Sequence, residues 1–356
     1  MFSRRRTLSL IFLSSIGFVL FVTPATRSTS ILRRITTTSE QSLNLNPSLT
    51  NDGTTIAFES TAGLAASDPR TSFHAIVAGV NVDGVTALEL GRSRAIAPAT
   101  SSDGHFISFA STEDLTGENS DRNSEIFLFN DSALIQVTHT APSTAATRLD
   151  EGNDRPSMSD DGRFIAFASN ENITGRNIDC NREIIIYDAP LGRFAQITNS
   201  VGIENADAKI SGNGERIAFL RSHSDGSSDL LLYDRLSDVA TTVVTNISGA
   251  SYGVGRSLDR FGTRVVYSAL DSLNQSQVYL YETRTGVSRQ LTTLASRSSD
   301  VNLQPTISGD GKRVAFATRR KVLNSSDGSV ELYVLDLPTN LVSQLTNAPA
   351  RATAEV

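Results

Sequence analysis

The chain has 356 residues, 39% of them hydrophobic and 20% charged. That composition excludes a disordered chain and supplies apolar side chains for a sizeable core. A formal charge of −6 excludes a basic nucleic-acid binder, and a single cysteine, Cys180, excludes a disulfide-stapled fold.

Arg4, Arg5 and Arg6 precede an uncharged apolar run, Leu8 to Val22, and then the small polar stretch "TPATRSTS". This order predicts a secretory signal peptide over residues 1–25, cleaved after Ala25. The alternative is an uncleaved membrane anchor, although the run is shorter than the roughly 20 apolar residues a spanning helix needs. A periplasmic or extracellular location follows for the mature protein.

From residue 31 to 347 one pattern returns six times: "NPSLTNDGTTIAFES" (46–60), "APATSSDGHFISFAS" (97–111), "RPSMSDDGRFIAFAS" (155–169), "DAKISGNGERIAFLR" (207–221), "GRSLDRFGTRVVYSA" (255–269) and "QPTISGDGKRVAFAT" (304–318). The shared glycines, Gly53, Gly104, Gly162, Gly214, Gly262 and Gly311, are spaced by 51, 58, 52, 48 and 49 residues. A period near 50 with strand chemistry predicts a propeller. The proline opens a short strand, where its missing N–H costs little. The Asp-Gly pair predicts a tight hairpin turn with left-handed backbone. A β-branched residue, a small one and an aromatic, as in Ile165-Ala166-Phe167, form a second strand. Alternation buries the first and third on one face, or else stacked sheets enclose all three.

Each repeat continues through a polar loop into a third strand ("EIFLFN", "EIIIYD", "DLLLYD", "QVYLYE", "ELYVLD"). A short turn leads to a last strand ending in a hydrophobic-Thr pair, such as Val137-Thr138 and Ile197-Thr198. The prediction is an all-β, six-bladed β-propeller with four antiparallel strands per blade over 31–347, and a tail over 348–356. Both "LRRITTT" (32–38) and "VSQLTNA" (342–348) read as a last strand. The N-terminal one is expected to pair into the final blade.

The repeats resemble those of TolB-type (WD40-like) propellers, whose signature is Pro-x-apolar-Ser-x-Asp-Gly followed by Ile-Ala-Phe. Two departures stand out. Tryptophan is absent, and the fifth copy has Asp259 and Phe261 where Ser and Asp are expected. The α/β domain that precedes the propeller in TolB has no counterpart in the sequence.

"GASYG" (249–253) matches the nucleophile-elbow pattern Gly-x-Ser-x-Gly, and prolyl-oligopeptidase-like enzymes join a propeller to a hydrolase domain. An elbow needs a strand before Ser251 and a helix after it, whereas the fifth hairpin follows. Ser251 is therefore read as part of an inter-blade connection. "NSDRNSE" and "NIDCNRE" set oxygen-bearing side chains at alternate positions: Asn119, Asp121, Asn123 and Glu125, then Asn177, Asp179, Asn181 and Glu183. These are candidate calcium ligands, and the competing reading is turn capping. No other cofactor is expected. His74, His105, His139 and His223 show no zinc spacing and are read as surface or turn residues, and the basic run Arg319, Arg320, Lys321 as a solvated loop.

The loops between second and third strands (60–74, 111–124, 169–182, 221–228, 318–330) vary most and share a face with the inter-blade connections. The expected function is an exported, non-enzymatic, monomeric scaffold that binds a protein or cell-envelope partner through this face. Nucleic acid is not an expected partner, and a membrane only through an uncleaved N-terminal segment. The alternatives are a polysaccharide lyase or hydrolase using the central channel, or a ligand- or calcium-binding sensor.

Overall fold

The computed structural model describes residues 35–38, 42–62, 72–81, 84–94, 96–141, 152–253, 255–294, 304–319, 322 and 329–347. The expected signal segment and C-terminal tail lie outside them. Among the described residues, no helix is long and apolar enough to cross a membrane.

Six antiparallel sheets follow one another along the chain, each built from consecutive strands. Blade 1 comprises Asn44–Leu49, Thr55–Ser60, Phe73–Asn81 and Gly84–Ser93. Blade 2 comprises Ala99–Thr100, Ile107–Ser111, Glu125–Phe129 and Leu134–Gln136. Blade 3 has Asn153–Met158, Phe164–Ser169, Glu183–Asp188 and Arg193–Gln196. Blade 4 has Asn205–Ile210, Arg216–Ser222, Ser227–Asp234 and Val239–Ser248. Blade 5 keeps Arg264–Leu270, Ser276–Glu282 and Val287–Gln290, and its inner strand is reduced to two bridges, Ser251 to Ser268 and Leu258 to Val265. Blade 6 is Thr306–Ile307, Arg313–Thr318, Glu331–Asp336 and Leu341–Gln344.

The Ile-Ala-Phe triplet is enclosed on both sides in the central blades. Ile165, Phe167, Ile185 and Tyr187 of blade 3 pack on Ala110, Ile126 and Leu128 of blade 2. Phe164, Ala166, Ala168 and Ile184 of blade 3 face Ile210, Ile217, Phe219 and Leu231 of blade 4. Each fully buried Ile or Phe contributes about 1.5–3 kcal/mol relative to exposure, so stacking supplies stability that one blade lacks. Similar clusters join blades 1 and 2, 4 and 5, and 5 and 6.

The turns explain why the sequence repeats its Ser-x-Asp-Gly phrase. They are not the two-residue primed hairpins expected, because glycine alone adopts the left-handed backbone there. In blade 3, Phe164 N–H donates to Ser159 Oγ (2.9 Å), Ser159 Oγ–H to Asp161 Oδ1 (2.6 Å) and Arg163 N–H to the same Asp161 oxygen (3.0 Å). The serine hydroxyl thus substitutes for a backbone link and lengthens the turn. The same bonds make Asp52 and Asp310 more acidic than an ordinary carboxylate: Thr54 N–H and the Thr50 hydroxyl act on Asp52, the Ser308 hydroxyl and Lys312 N–H on Asp310. In the fifth copy, Asp259 does both jobs by accepting Thr263 N–H (2.7 Å) and Arg264 N–H (3.3 Å), which leaves Phe261 free to be 59% exposed. Gly162 has φ +72°, and a Cβ there would sit 2.3 Å from the Phe106 ring of the preceding blade.

Each turn also bonds to the next. Asn51 N–H donates to Ser102 O, Ser102 to Asp160, Asp160 to Gly212, Asn213 to Arg260 and Arg260 to Gly309, at 2.7–3.0 Å. This belt runs from blade 1 to blade 6. Among the described residues, neither a turn bond nor an apolar cluster joins blade 6 back to blade 1. Leu49 is 57% exposed there, whereas its equivalents Met158, Ile210, Leu258 and Ile307 are buried. The expected pairing of residues 32–38 with the final blade is not seen over 35–38, which form no strand, and 32–34 lie outside the described residues.

Candidate functional site

With the turn face occupied by the belt, the other face carries the second-to-third strand loops and the inter-blade connections. The inner strands have an unusual backbone. One inner-strand position is left-handed in five copies: Asn46 (φ 55°), Ala97 (75°), Arg155 (50°) and Gln304 (23°), each before a proline, and Asp207 (54°), before Ala208. In blades 1, 3 and 4 the strand register shifts around that residue, so it forms a bulge. A bulge re-aims a side chain, and non-glycine residues in this region cluster at functional sites.

Two bulge residues, Arg155 of blade 3 and Asp207 of blade 4, form an ion pair. Beside them, Arg182 lies 3.3 Å from Asp154. Burial raises the Asp154 carboxyl above the usual range, with Arg182, Arg155 and Arg94 opposing it. Burial likewise pushes the Lys209 ammonium down to about 8, opposed by Asp207 and reinforced by Arg155. Tyr252, in the connection into blade 5, is driven well above its ordinary range by burial and by Asp207. Its hydroxyl has no hydrogen-bond partner. At the turn end, Arg256 of blade 5 reaches Asp160 of blade 3 across blade 4. Gly212 leaves room for this pair, since a Cβ there would meet Asp160 Oδ2 at 2.3 Å.

Lys209 gives a test of this electrostatic reading. An unfolded lysine titrates near 10.5 and the folded one near 8, so between these values the unfolded chain holds the extra proton. Stability contributed by this site therefore rises with pH across that window, and the penalty is complete below it. Lys209→Met is expected to be more stable at pH 7 by about 1–3 kcal/mol and to gain less between pH 8 and 10. Urea midpoints of both proteins at the two pH values check this. A less stable variant with an unchanged pH slope would contradict it.

The sequence-predicted oxygen ligands fall into two equivalent loops on the variable face. Asn119 donates to Asn123 O (3.0 Å) and Asn123 to Thr140 O (2.5 Å). Asn177 donates to Asn181 O (2.7 Å) and Asn181 to Ile203 O (2.7 Å). Asp121 is exposed, and Asp179 accepts Gly202 N–H (2.9 Å). Glu125 and Glu183 are buried and accept hydrogen bonds at both carboxylate oxygens. The amide oxygens of Asn119, Asn123, Asn177 and Asn181 are buried without a hydrogen-bond partner. Among the described residues, no three His, Cys, Asp or Glu side chains are grouped to hold a metal ion.

Ser251 hydrogen-bonds the Ser268 hydroxyl at 2.7 Å in the bridged inner segment, as expected of a connection. His74 corrects the surface assignment. It is buried in blade 1, 2.6 Å from Glu89, because its strand position faces inward. His105, His139 and His223 are surface partners of Asp131, Glu118 and Asp229. Arg319 is exposed, while Arg320 and Lys321 lie outside the described residues.

Two cavities open on the variable face. One of about 410 Å³ lies between blades 2 and 3, lined by Thr138, His139, Thr140, Glu171, Ile173 and Phe194. The other, about 220 Å³, lies between blades 1 and 2. Sequence reasoning missed the inner-strand residues Arg155, Asp207 and Lys209, whose grouping crosses from blade 3 to blade 4 and leaves no local spacing signal.

No family model matches the chain, and no curated protein does. Solved structures do. TolB from Acinetobacter baumannii is 20% identical over 76% of this chain and 58% of that chain, with a TM-score of 0.50. The chain thus spans less than two thirds of that TolB. The β-propeller domain of the Trilobed protease from Pyrococcus furiosus, described as having an open velcro topology, is 12% identical over 88% of this chain and 85% of that chain, with a TM-score of 0.57. An oligogalacturonate lyase in complex with manganese is 14% identical over 87% and 78%, with a TM-score of 0.55. At such identities the likeness concerns fold alone. This chain is a six-bladed β-propeller, and TolB is among the solved structures that share its fold.

Proposed function

We propose that the protein is an exported, non-enzymatic scaffold that binds a protein or cell-envelope partner through its variable-loop face. The observation that carries this reading is the division of labour between the two faces. The turn face spends its polar groups on the blade-to-blade belt, while both cavities and the unevenly charged loops lie opposite. A rigid scaffold that presents variable loops is the usual setting for recognition. The N-terminal segment supports export, and a TolB among the structural neighbours is in keeping with a protein partner.

The test is affinity capture from envelope extract. Asp121→Lys combined with Arg176→Glu changes two exposed loop charges. It is expected to weaken capture about fivefold or more, while the turn-face pair Lys312→Glu and Arg193→Glu leaves it intact. The reverse pattern would refute the face assignment. A second reading, a calcium-binding sensor, is favoured by the four buried amide oxygens without partners. A calcium-dependent rise in Tm distinguishes it.

A further inference from the structure

The smaller cavity has a chemistry unlike that of the rest of the face. It forms where the outer strand of blade 1 runs into the connection to blade 2, and Arg94 N–H is anchored there to Ala110 O at 3.0 Å. Its wall holds Arg92, Ser93, Arg94, Ser111, Thr112 and Glu113. Two of its hydrogen-bonding atoms, Arg94 Nη1 and Ser93 Oγ, are buried without a partner. A buried donor left unmade costs about 1–3 kcal/mol, more when it is charged, so a lone guanidinium arm needs an explanation.

None of the surrounding carboxylates hydrogen-bonds Arg94 Nη1. Glu113 lies 3.6 Å from Arg92, and its other oxygen is held by Arg122. Asp154 is within electrostatic reach of Arg94; its Oδ2 pairs with Arg182 at 3.3 Å, and its Oδ1 is buried without a hydrogen bond to Arg94. The cavity wall itself carries two arginines, Arg92 and Arg94, and one carboxylate, Glu113, which Arg92 and Arg122 already engage. Ser111 Oγ already accepts Glu113 N–H (3.0 Å), so its proton is available to an incoming acceptor.

We propose that this pocket binds an oxyanion, a carboxylate or a phosphate, with Arg94 Nη1 and Ser93 Oγ as its donors. A guanidinium presents parallel N–H groups that suit both anions. The volume of about 220 Å³ is below the roughly 300–1,000 Å³ of sites that enclose whole drug-sized ligands. The pocket therefore takes a terminal group, such as a peptide carboxylate, an acidic sugar substituent or a phosphoryl head, and not a whole chain. This site goes beyond the scaffold reading and does not depend on any partner's identity.

Thermal unfolding of the full chain against inorganic phosphate and against acetate, at constant ionic strength, tests the proposal. The wild type is expected to show a saturable rise in Tm with at least one anion, and the anion that works separates the two sources. Arg94→Gln should weaken the apparent affinity about tenfold or more, the size of a lost charge-assisted hydrogen bond. Arg94→Lys should retain part of it, and Arg193→Gln, on the opposite face, should change nothing. If Arg94→Gln does not fold, Ser93→Ala provides the second route, with a several-fold loss expected. No saturable response to either anion, or equal responses in wild type and Arg94→Gln, overturns the site. The latter result would leave Arg94 as a structural neighbour of Asp154. Partner capture uses other residues, so either test can fail without the other.

Discussion

Glu125→Ala is expected to destabilise the protein by about 3–5 kcal/mol, or roughly 6–15 °C in Tm, as judged by urea and thermal unfolding. The carboxylate is fully buried and faces donors only. Thr140 donates its N–H (2.6 Å) and hydroxyl (2.9 Å) to one oxygen, while the Thr138 hydroxyl and Asn153 Nδ2 (3.0 Å) donate to the other. Asn153 belongs to the inner strand of the next blade, so one side chain ties the end of blade 2 to the start of blade 3. Alanine would leave the Thr138 hydroxyl proton and the Thr140 N–H buried without acceptors, and opening the junction to admit water would disturb the packing beneath. Glu125→Gln is expected to fall between, because its amide would point two donors at groups that are themselves donors. Blade 5 shows what an amide requires there. Gln277 accepts Leu294 N–H (2.9 Å) and donates to Leu294 O (2.8 Å) and Asp271 Oδ2 (3.0 Å), acceptors that the Glu125 site lacks. A loss below 1 kcal/mol for Glu125→Ala would show that the strut is dispensable.

The same strut shows what was legible in the sequence and what was not. Glycine spacing, the Ile-Ala-Phe triplet and the strand-ending threonines located the six blades, because each reflects local chemistry that recurs. The threonines proved to act just beyond the strand they were taken to end: Thr138 and Thr198 accept the N–H of Ile126 and Ile184 through their hydroxyls. In sequence, Glu125 and Glu183 are open to two readings, turn caps foremost and calcium ligands as the alternative, since alternation of oxygen-bearing residues is common to both. Their structural role depends on the next blade's asparagine, 28 and 22 residues on, which completes their set of donors. The inner-strand residues Arg155 and Asp207 were hidden for a different reason. A left-handed residue such as Arg155 before proline, or Asp207 before Ala208, is disfavoured locally, and the register shift imposes it against that preference. Arg94 was invisible because its meaning lies in the absence of a partner, which no spacing reveals.

Gly253→Val is expected to cost about 3 kcal/mol or more, with loss of soluble yield, because it forces backbone against backbone. Blade 5 takes seven residue steps from Ser251 to Leu258, where blade 4 takes four from Ala206 to Ile210 against the equivalent stretch of second strand. The three additional residues interrupt the inner strand of blade 5 and bring Gly253 against blade 6. A Cβ there would lie 2.3 Å from Pro305 O and 2.9 Å from Gln304 O. Neither carbonyl is free to withdraw, since Ile307 N–H (3.0 Å) and Thr306 Oγ–H (2.9 Å) hold the adjoining strand to Arg256 O. A side chain at Gly253 would therefore wedge blades 5 and 6 apart and separate a cluster that includes Val266, Leu280, Val314 and Tyr333. Gly286→Ala is the matched control. It sits in a surface turn at φ +67° with open space around it, so only backbone strain of about 1 kcal/mol is expected. If Gly253→Ala and Gly286→Ala prove equally stable, the close approach is not what selects glycine at 253. If Gly253→Ala is clearly worse, the pattern Gly-x-Ser-x-Gly is here a record of blade packing, with its last glycine kept for space and its serine for a bridge.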